Sequence, residues 1–119
     1  MNIGVTGKLG EDIVADYLRK KGCIIVKRNY STRYGEIDVI AESKTHIIFT
    51  EVKVRNEGAL VTGAQAVDDF KKRRIRMAAI DFLSKFYLEL QPRFDVAEIT
   101  VSKDANTRKI SLKYMEDAF

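Results

Sequence analysis

Asp38, Glu51 and Lys53 lie within GEIDVIAESKTHIIFTEVKVR, residues 35–55, a stretch that otherwise reads as a buried β-hairpin. Burying a charge is costly unless it is paired or binds a metal, so three ionisable residues among Ile, Val and Phe need a use. With the turn centred on Lys44 and Thr45, Ile40 faces Phe49, Asp38 faces Glu51 and Glu36 faces Lys53. Side chains alternate along a strand, so these pairs share one face, while Ala41–Ile48, Val39–Thr50 and Ile37–Val52 share the other. Two carboxylates then oppose each other with Cβ atoms about 5 Å apart, and like charges so placed repel. A lysine or a divalent cation must lie between them. Mg²⁺ takes carboxylate oxygens and keeps several waters. Bound there it would neutralise a phosphate oxygen and acidify a water, while Lys53 held the water or steadied charge on the phosphorus. That chemistry is phosphodiester hydrolysis. The plainer alternative is a salt-bridged hairpin, with Lys53 on Glu36 or Glu51 and Asp38 solvated near a strand end.

The elements that must position these residues follow from periodicity. Leu9, Ile13, Val14, Tyr17 and Leu18 predict a helix over 8–21, stopped by Gly22. CIIVKRNY, GEIDVIAE and HIIFTEVKVR predict three strands. After the glycine-bearing NEGALVTG, a long helix is expected over 65–88. Its two apolar stripes are Val67, Phe70, Met77 and Ala78, and Ile75, Ala79, Phe82, Leu83 and Phe86. FDVAEITV and ISLKYM predict two further strands around a turn in SKDANTRK. The order αβββαβ plus a final β belongs to the α/β (α+β) class, with a mixed central sheet flanked by helices.

Composition narrows the class. At 119 residues one domain spanning 1–119 is expected. Against 17 acidic residues stand 21 basic ones, a net charge of +4 that permits a polyanionic partner. Cys23 is the only cysteine and His46 the only histidine, which excludes an internal disulfide and a Cys/His zinc cluster. Cys23 opens an apolar run and reads as a small buried hydrophobe. No apolar run approaches the ~20 residues of a membrane span, and MNIGVTGKLGED has no secretory hydrophobic stretch. A soluble cytoplasmic protein is expected.

The Asp38, Glu51-x-Lys53 spacing resembles that of the PD-(D/E)XK nucleases, the restriction-endonuclease-like superfamily. GKLGEDIVADYLRKKG, VKRNYSTRYGEIDVIA, FTEVKVR, QAVDDFKKRRI and RFDVAEI together look like the YraN-type family of small predicted endonucleases. That family is similar in turn to archaeal Holliday-junction resolvases, with the same αβββαβ core. The resemblance spans roughly residues 7–101. It implies an Mg²⁺- or Mn²⁺-dependent DNA endonuclease, with Asp38 and Glu51 as metal ligands, the Val52 carbonyl as a further ligand and Lys53 as the catalytic lysine. Ile37 stands where the wider superfamily has proline before the Asp, in keeping with the Gly-Glu-Ile-Asp of the narrower family. Glu11 matches the acid of the first helix, which implies a place in the catalytic site and among the metal ligands. Its helix face, shared with Val14, Ala15 and Leu18, is the buried one; the alternative is an acid at the positive end of the helix dipole. Gln65 matches a glutamine that orients the lysine in several relatives, or is an ordinary helix-start residue.

KKRRIR, residues 71–76, cannot place all its cations on one helix face. Lys71 or Lys72, Arg74 and Arg33 are the expected phosphate contacts, and Arg55 continues the strand face of Lys53. The alternative is a solvated face. Tyr30 and Tyr34 could stack on a base or sugar, or serve as partial core. Glu36 is expected opposite Lys53, as a supporting partner or a surface salt bridge. With no base-reading motif, recognition by structure or without sequence preference is expected, including branched DNA. A homodimer would supply two sites for two strands. Two other readings remain open: a noncatalytic nucleic-acid-binding module on the same fold, and an interaction protein whose acid pair is structural.

Overall fold

The computed structural model describes residues 7–56, 67–86, 89–104 and 107–119. Helix α1 (Gly7–Lys20) leads into strands β1 (Ile24–Ser31), β2 (Glu36–Glu42) and β3 (His46–Asn56). Helix α2 (Asp69–Lys85) and strands β4 (Gln91–Asp104) and β5 (Thr107–Met115) follow. The five strands form one sheet in chain order. Only β3 and β4 pair in parallel, and α2 lies in the connection between them.

Alternation sorts the sheet onto two cores. Ile40, Ile47, Phe49 and Val96 pack against Ile75, Ala78, Ala79 and Phe82 of α2. Val39, Ala41, Ile48, Ala97 and Ile99 pack against Val14 and Leu18 of α1. The helices therefore cover opposite faces, the mixed α/β (α+β) arrangement expected. Among the described residues no helix is long and apolar enough to cross a membrane.

Helix α1 ends as its glycine requires. Gly22 has φ 91°, Gly22 N–H donates to Arg19 O, and Cys23 N–H reaches back to Leu18 O. At the other end Gly10 lets the helix approach the sheet: a Cβ there would stand 2.8 Å from Val54 Cγ2. Helix α2 is shorter than the expected 65–88. Asp68 caps it, accepting from Lys71 N at 2.8 Å, and it ends at Lys85. The two expected stripes merge into one buried face of Val67, Ile75, Ala78, Ala79 and Phe82, because the sheet covers one side, and Phe70, Met77 and Phe86 are left exposed. Strands β4 and β5 run through most of the expected turn, to Asp104 and from Thr107.

The hairpin register is the expected one for Val39–Thr50, Ile40–Phe49 and Ala41–Ile48. It stops there. The expected rungs Asp38–Glu51 and Glu36–Lys53 do not form, and Glu36 is an exposed residue paired with Ser31 of β1. Ile37 and Val52 do not share a face either: Ile37 joins the core under α2 and Val52 the core under α1. The strands part on one edge of β3 alone: its other edge stays paired with β4 throughout, from His46–Gln91 to Asn56–Val101.

Candidate active site

Asp38 is the first residue of β2 beyond the last rung to β3. Its carboxylate takes the place of the missing ladder, Oδ2 accepting from Val52 N at 2.8 Å. A backbone donor freed by the parting strands is thus satisfied by a side chain, and Asp38 is pinned beside Glu51. Glu51 is 4 % exposed in its side chain. Lys71 Nζ of α2 stands 2.6 Å from its Oε2, and Lys53 Nζ 3.9 Å from the same atom. Lys71 is thus in close ionic contact with the buried Glu51 Oε2, while Lys53 stands beyond hydrogen-bond distance of it.

The opposite side is set by β1. Its ladder pairs Arg28 with Val39 and Tyr30 with Ile37, stepping over Asn29 and Asp38. Asn29 has φ 52°, a conformation asparagine tolerates better than most residues. Its Nδ2 donates to Glu11 Oε1 at 2.9 Å, and Arg28 Nη2 lies 3.5 Å from the same oxygen and 2.7 Å from Asp12. Glu11 is buried and close enough for its charge to be felt at Asp38. Among the described residues, however, no three acid, His or Cys side chains are grouped to share a metal ion. Glu11 is a neighbouring charge, held by Asn29 and Arg28. Asn29→Val, which suits neither the φ nor the hydrogen bond, is expected to destabilise by about 2 kcal/mol, and Asn29→Gly by less than about 1 kcal/mol. Urea unfolding of both variants checks that order.

Burial and the Glu51 carboxylate beside it push Asp38 up to about 8, against the pull of Val52 N–H. Burial also pushes Glu51 up, but contact with Asp38, Lys71 and Lys53 outweighs it and leaves Glu51 below its ordinary value. The pair therefore shares a proton. Lys53 is lowered, by burial first and then by Lys71, with Glu51 opposing. These signs fix a pH dependence. Asp38 is raised, so its contribution to stability is full below about pH 4 and is lost as pH rises toward 8. Glu51 has the opposite sign, its contribution being lost as pH falls. Asp38→Asn is expected to stabilise the metal-free protein by about 2 kcal/mol at pH 9, with the gap closing toward pH 4. Thermal melts across that range read it.

The remaining expected residues scatter. Val52 supplies its N–H to Asp38 and its side chain to the core under α1. Arg55 is engaged with Glu98, Nε to Oε1 at 2.7 Å. Arg33 folds onto its neighbour Tyr34, Nη2 donating to the phenol oxygen. Arg74 lies over Phe70 and beside Gly35. Lys72 is half-buried in the first turn of α2, its N–H on Asp68 O. Gln65 falls outside the described residues. Tyr30 is partial core, donating to Asp81 and meeting Phe82 edge-on. Tyr34 lines a shallow cavity of about 290 Å³ with Met77, Ile80, Asp81 and Ser84, which contains none of the acid pair. Cys23 is half-buried, and burial raises its thiol.

Sequence reasoning missed Asn29 and placed Lys71 among phosphate contacts rather than on Glu51. An asparagine inside a strand was the available signal for the first, since it is a poor strand former that tolerates positive φ.

A five-stranded mixed sheet with helices on both faces, and charges gathered where two strands part, is consistent with a restriction-endonuclease-like core. The chain belongs to the Uncharacterised protein family UPF0102, whose profile matches residues 10–99. A UPF0102 protein of Dictyoglomus thermophilum is 38 % identical over 120 residues, 100 % of each chain. One of Alkaliphilus metalliredigens is 37 % identical over 114 residues, 95 % of this chain and 96 % of that one. One of Caldanaerobacter subterraneus subsp. tengcongensis is 37 % identical over 108 residues, 90 % and 88 % of the two chains. The matched span contains Glu11, Asn29, Asp38, Glu51, Lys53 and Lys71.

Proposed function

We propose that the protein is a divalent-cation-dependent DNA endonuclease of the PD-(D/E)XK type. The observation that carries this reading is the meeting of the Asp38 and Glu51 carboxylates at the strand parting, with two lysine ammoniums gathered on Glu51 Oε2. Two adjoining carboxylates that already gather positive charge fit a hard cation such as Mg²⁺ or Mn²⁺. Asp38 and Glu51 would hold it, with the Val52 carbonyl as a further oxygen. The bound cation would supply charge neutralisation at a phosphate oxygen and acidify a water.

The chain's own residues do the rest. Asp38 and Glu51 share a proton when metal-free, and holding a cation with both carboxylates would require that proton to leave. Lys53, on the strand of Glu51, is the group to orient the attacking water or steady charge on the phosphorus. Asn29 and Arg28 hold Glu11, whose charge is felt at Asp38. Lys72, Arg74 and Arg33 are the cations assigned to the DNA backbone, a contact that reads charge and shape rather than base sequence. Two copies acting together would cut two strands.

The test is incubation of the purified protein with labelled single-stranded, duplex, flap and four-way-junction DNA, with Mg²⁺, Mn²⁺ or EDTA. Cleavage with metal and none with EDTA is the expected result. A shift of junction DNA without cleavage under any metal would favour a noncatalytic binding module.

A further inference from the structure

We propose that Lys71 is a counter-cation built into the site: in the metal-free protein its ammonium occupies the place beside Glu51 that a divalent cation takes, and the metal loads by displacing it. The inference rests on the metal-binding reading above and adds a competitor to it. Two ammonium groups converge on one Glu51 oxygen, with Lys71 at 2.6 Å and Lys53 at 3.9 Å. The nearer one is a compact charge in direct contact with the carboxylate oxygen, the place a cation would take.

The two lysines differ in how freely they can leave. Lys53 rises from β3 two residues beyond Glu51, with a side chain 25 % exposed. Lys71 enters from α2 with a side chain 41 % exposed, so it has open solvent to swing into. Its backbone stays fixed meanwhile, because its N–H is tied to the Asp68 cap at 2.8 Å. The exchange therefore needs a rotamer change and no movement of the helix. Two close carboxylates demand positive charge in either state. Lys71 meets the demand until a doubly charged ion meets it better. The released ammonium is then a free cation at the rim of the site, suited to a phosphate oxygen.

The measurement is isothermal titration of Mn²⁺ into metal-free wild type, Lys71→Gln and Lys71→Arg at one pH and ionic strength, after circular dichroism confirms that all three are folded. Lys71→Gln is expected to bind about tenfold tighter than wild type, since the competing charge is gone. Lys71→Arg, which keeps the charge, is expected to stay within about threefold of wild type. Equal or weaker binding by Lys71→Gln while wild type binds would overturn the counter-cation role and leave the metal site standing. Lys71→Arg tracking Lys71→Gln would overturn it too. Failure of all three to bind would remove the metal site and this inference together.

Discussion

Lys53→Ala and Asp38→Asn are each expected to lower the single-turnover rate of metal-dependent DNA cleavage by at least about a thousandfold, the scale on which loss of a charge-stabilising group at a reacting centre is felt. Lys53 is the lysine borne by the same strand as Glu51, and its charge is the one that the proposed chemistry uses. Asp38 is one of the two carboxylates available to a cation, and an amide in its place is a neutral ligand. Loss of activity alone could reflect misfolding, but here the two readouts diverge. Asparagine can still accept from Val52 N–H, and it removes a carboxylate that burial and Glu51 push up to about 8. Asp38→Asn should therefore lose cleavage while melting higher than wild type at alkaline pH. Rates within tenfold of wild type for both variants would contradict the assignment.

The largest expected loss of stability lies on the other face of the sheet. Asp95 has 0 % exposure and is surrounded by donors. Arg93 grips it with Nε at 3.0 Å from Oδ1 and Nη2 at 2.9 Å from Oδ2. Tyr114 OH donates at 2.6 Å and Asp117 N at 2.9 Å. Tyr114 in turn meets Thr50 Oγ1 at 2.9 Å and stacks on Tyr17 of α1. One carboxylate thus ties β3, β4, β5 and the C-terminal turn together. Burial, and then Asp95 itself, raise the Tyr114 phenol, so it remains a donor throughout the ordinary pH range. Asp95→Ala leaves Arg93 with Glu116 alone and Tyr114 with Thr50 alone, orphans the Asp117 N–H, and is expected to destabilise by about 3 kcal/mol. Denaturant unfolding measures this. A loss below about 1 kcal/mol would mean that water replaces the carboxylate. Asp95→Asn, which keeps the shape, should lose less.

The elements were legible because the hydrophobic periods are clean. Ile13, Val14, Tyr17 and Leu18 mark α1, and Val39, Ile40 and Ala41 against Thr50, Phe49 and Ile48 set a register that the structure keeps. The extrapolation of that register to Glu36 and Lys53 was not sound. Antiparallel pairing was carried past Val39–Thr50, where β2 leaves β3, and the positive φ of Asn29 on β1, which goes with the missing rung at Asp38, leaves no mark in the hydrophobic alternation. The meeting of Asp38 with Glu51 survives by another route, a side chain completing a broken ladder. The argument that singled out Asp38 applies equally to Asp95 and Glu98 in FDVAEITV, both buried, yet their partners Arg93, Tyr114 and Arg55 can be identified only once the sheet is assembled. The exposed side of α2 misled for a simpler reason. Phe70 and Met77 fit a helical stripe, but the sheet has width for only one face.

The central claim is that Asp38 and Glu51 form a divalent-cation site. Crystals of the wild-type protein grown with Mn²⁺ and measured on the high-energy side of the manganese absorption edge test it most directly. The account predicts an anomalous peak bound by both carboxylates, with Lys71 Nζ moved off Glu51. Density showing Lys71 still seated on Glu51, with no peak between the two acids at saturating Mn²⁺, would contradict it.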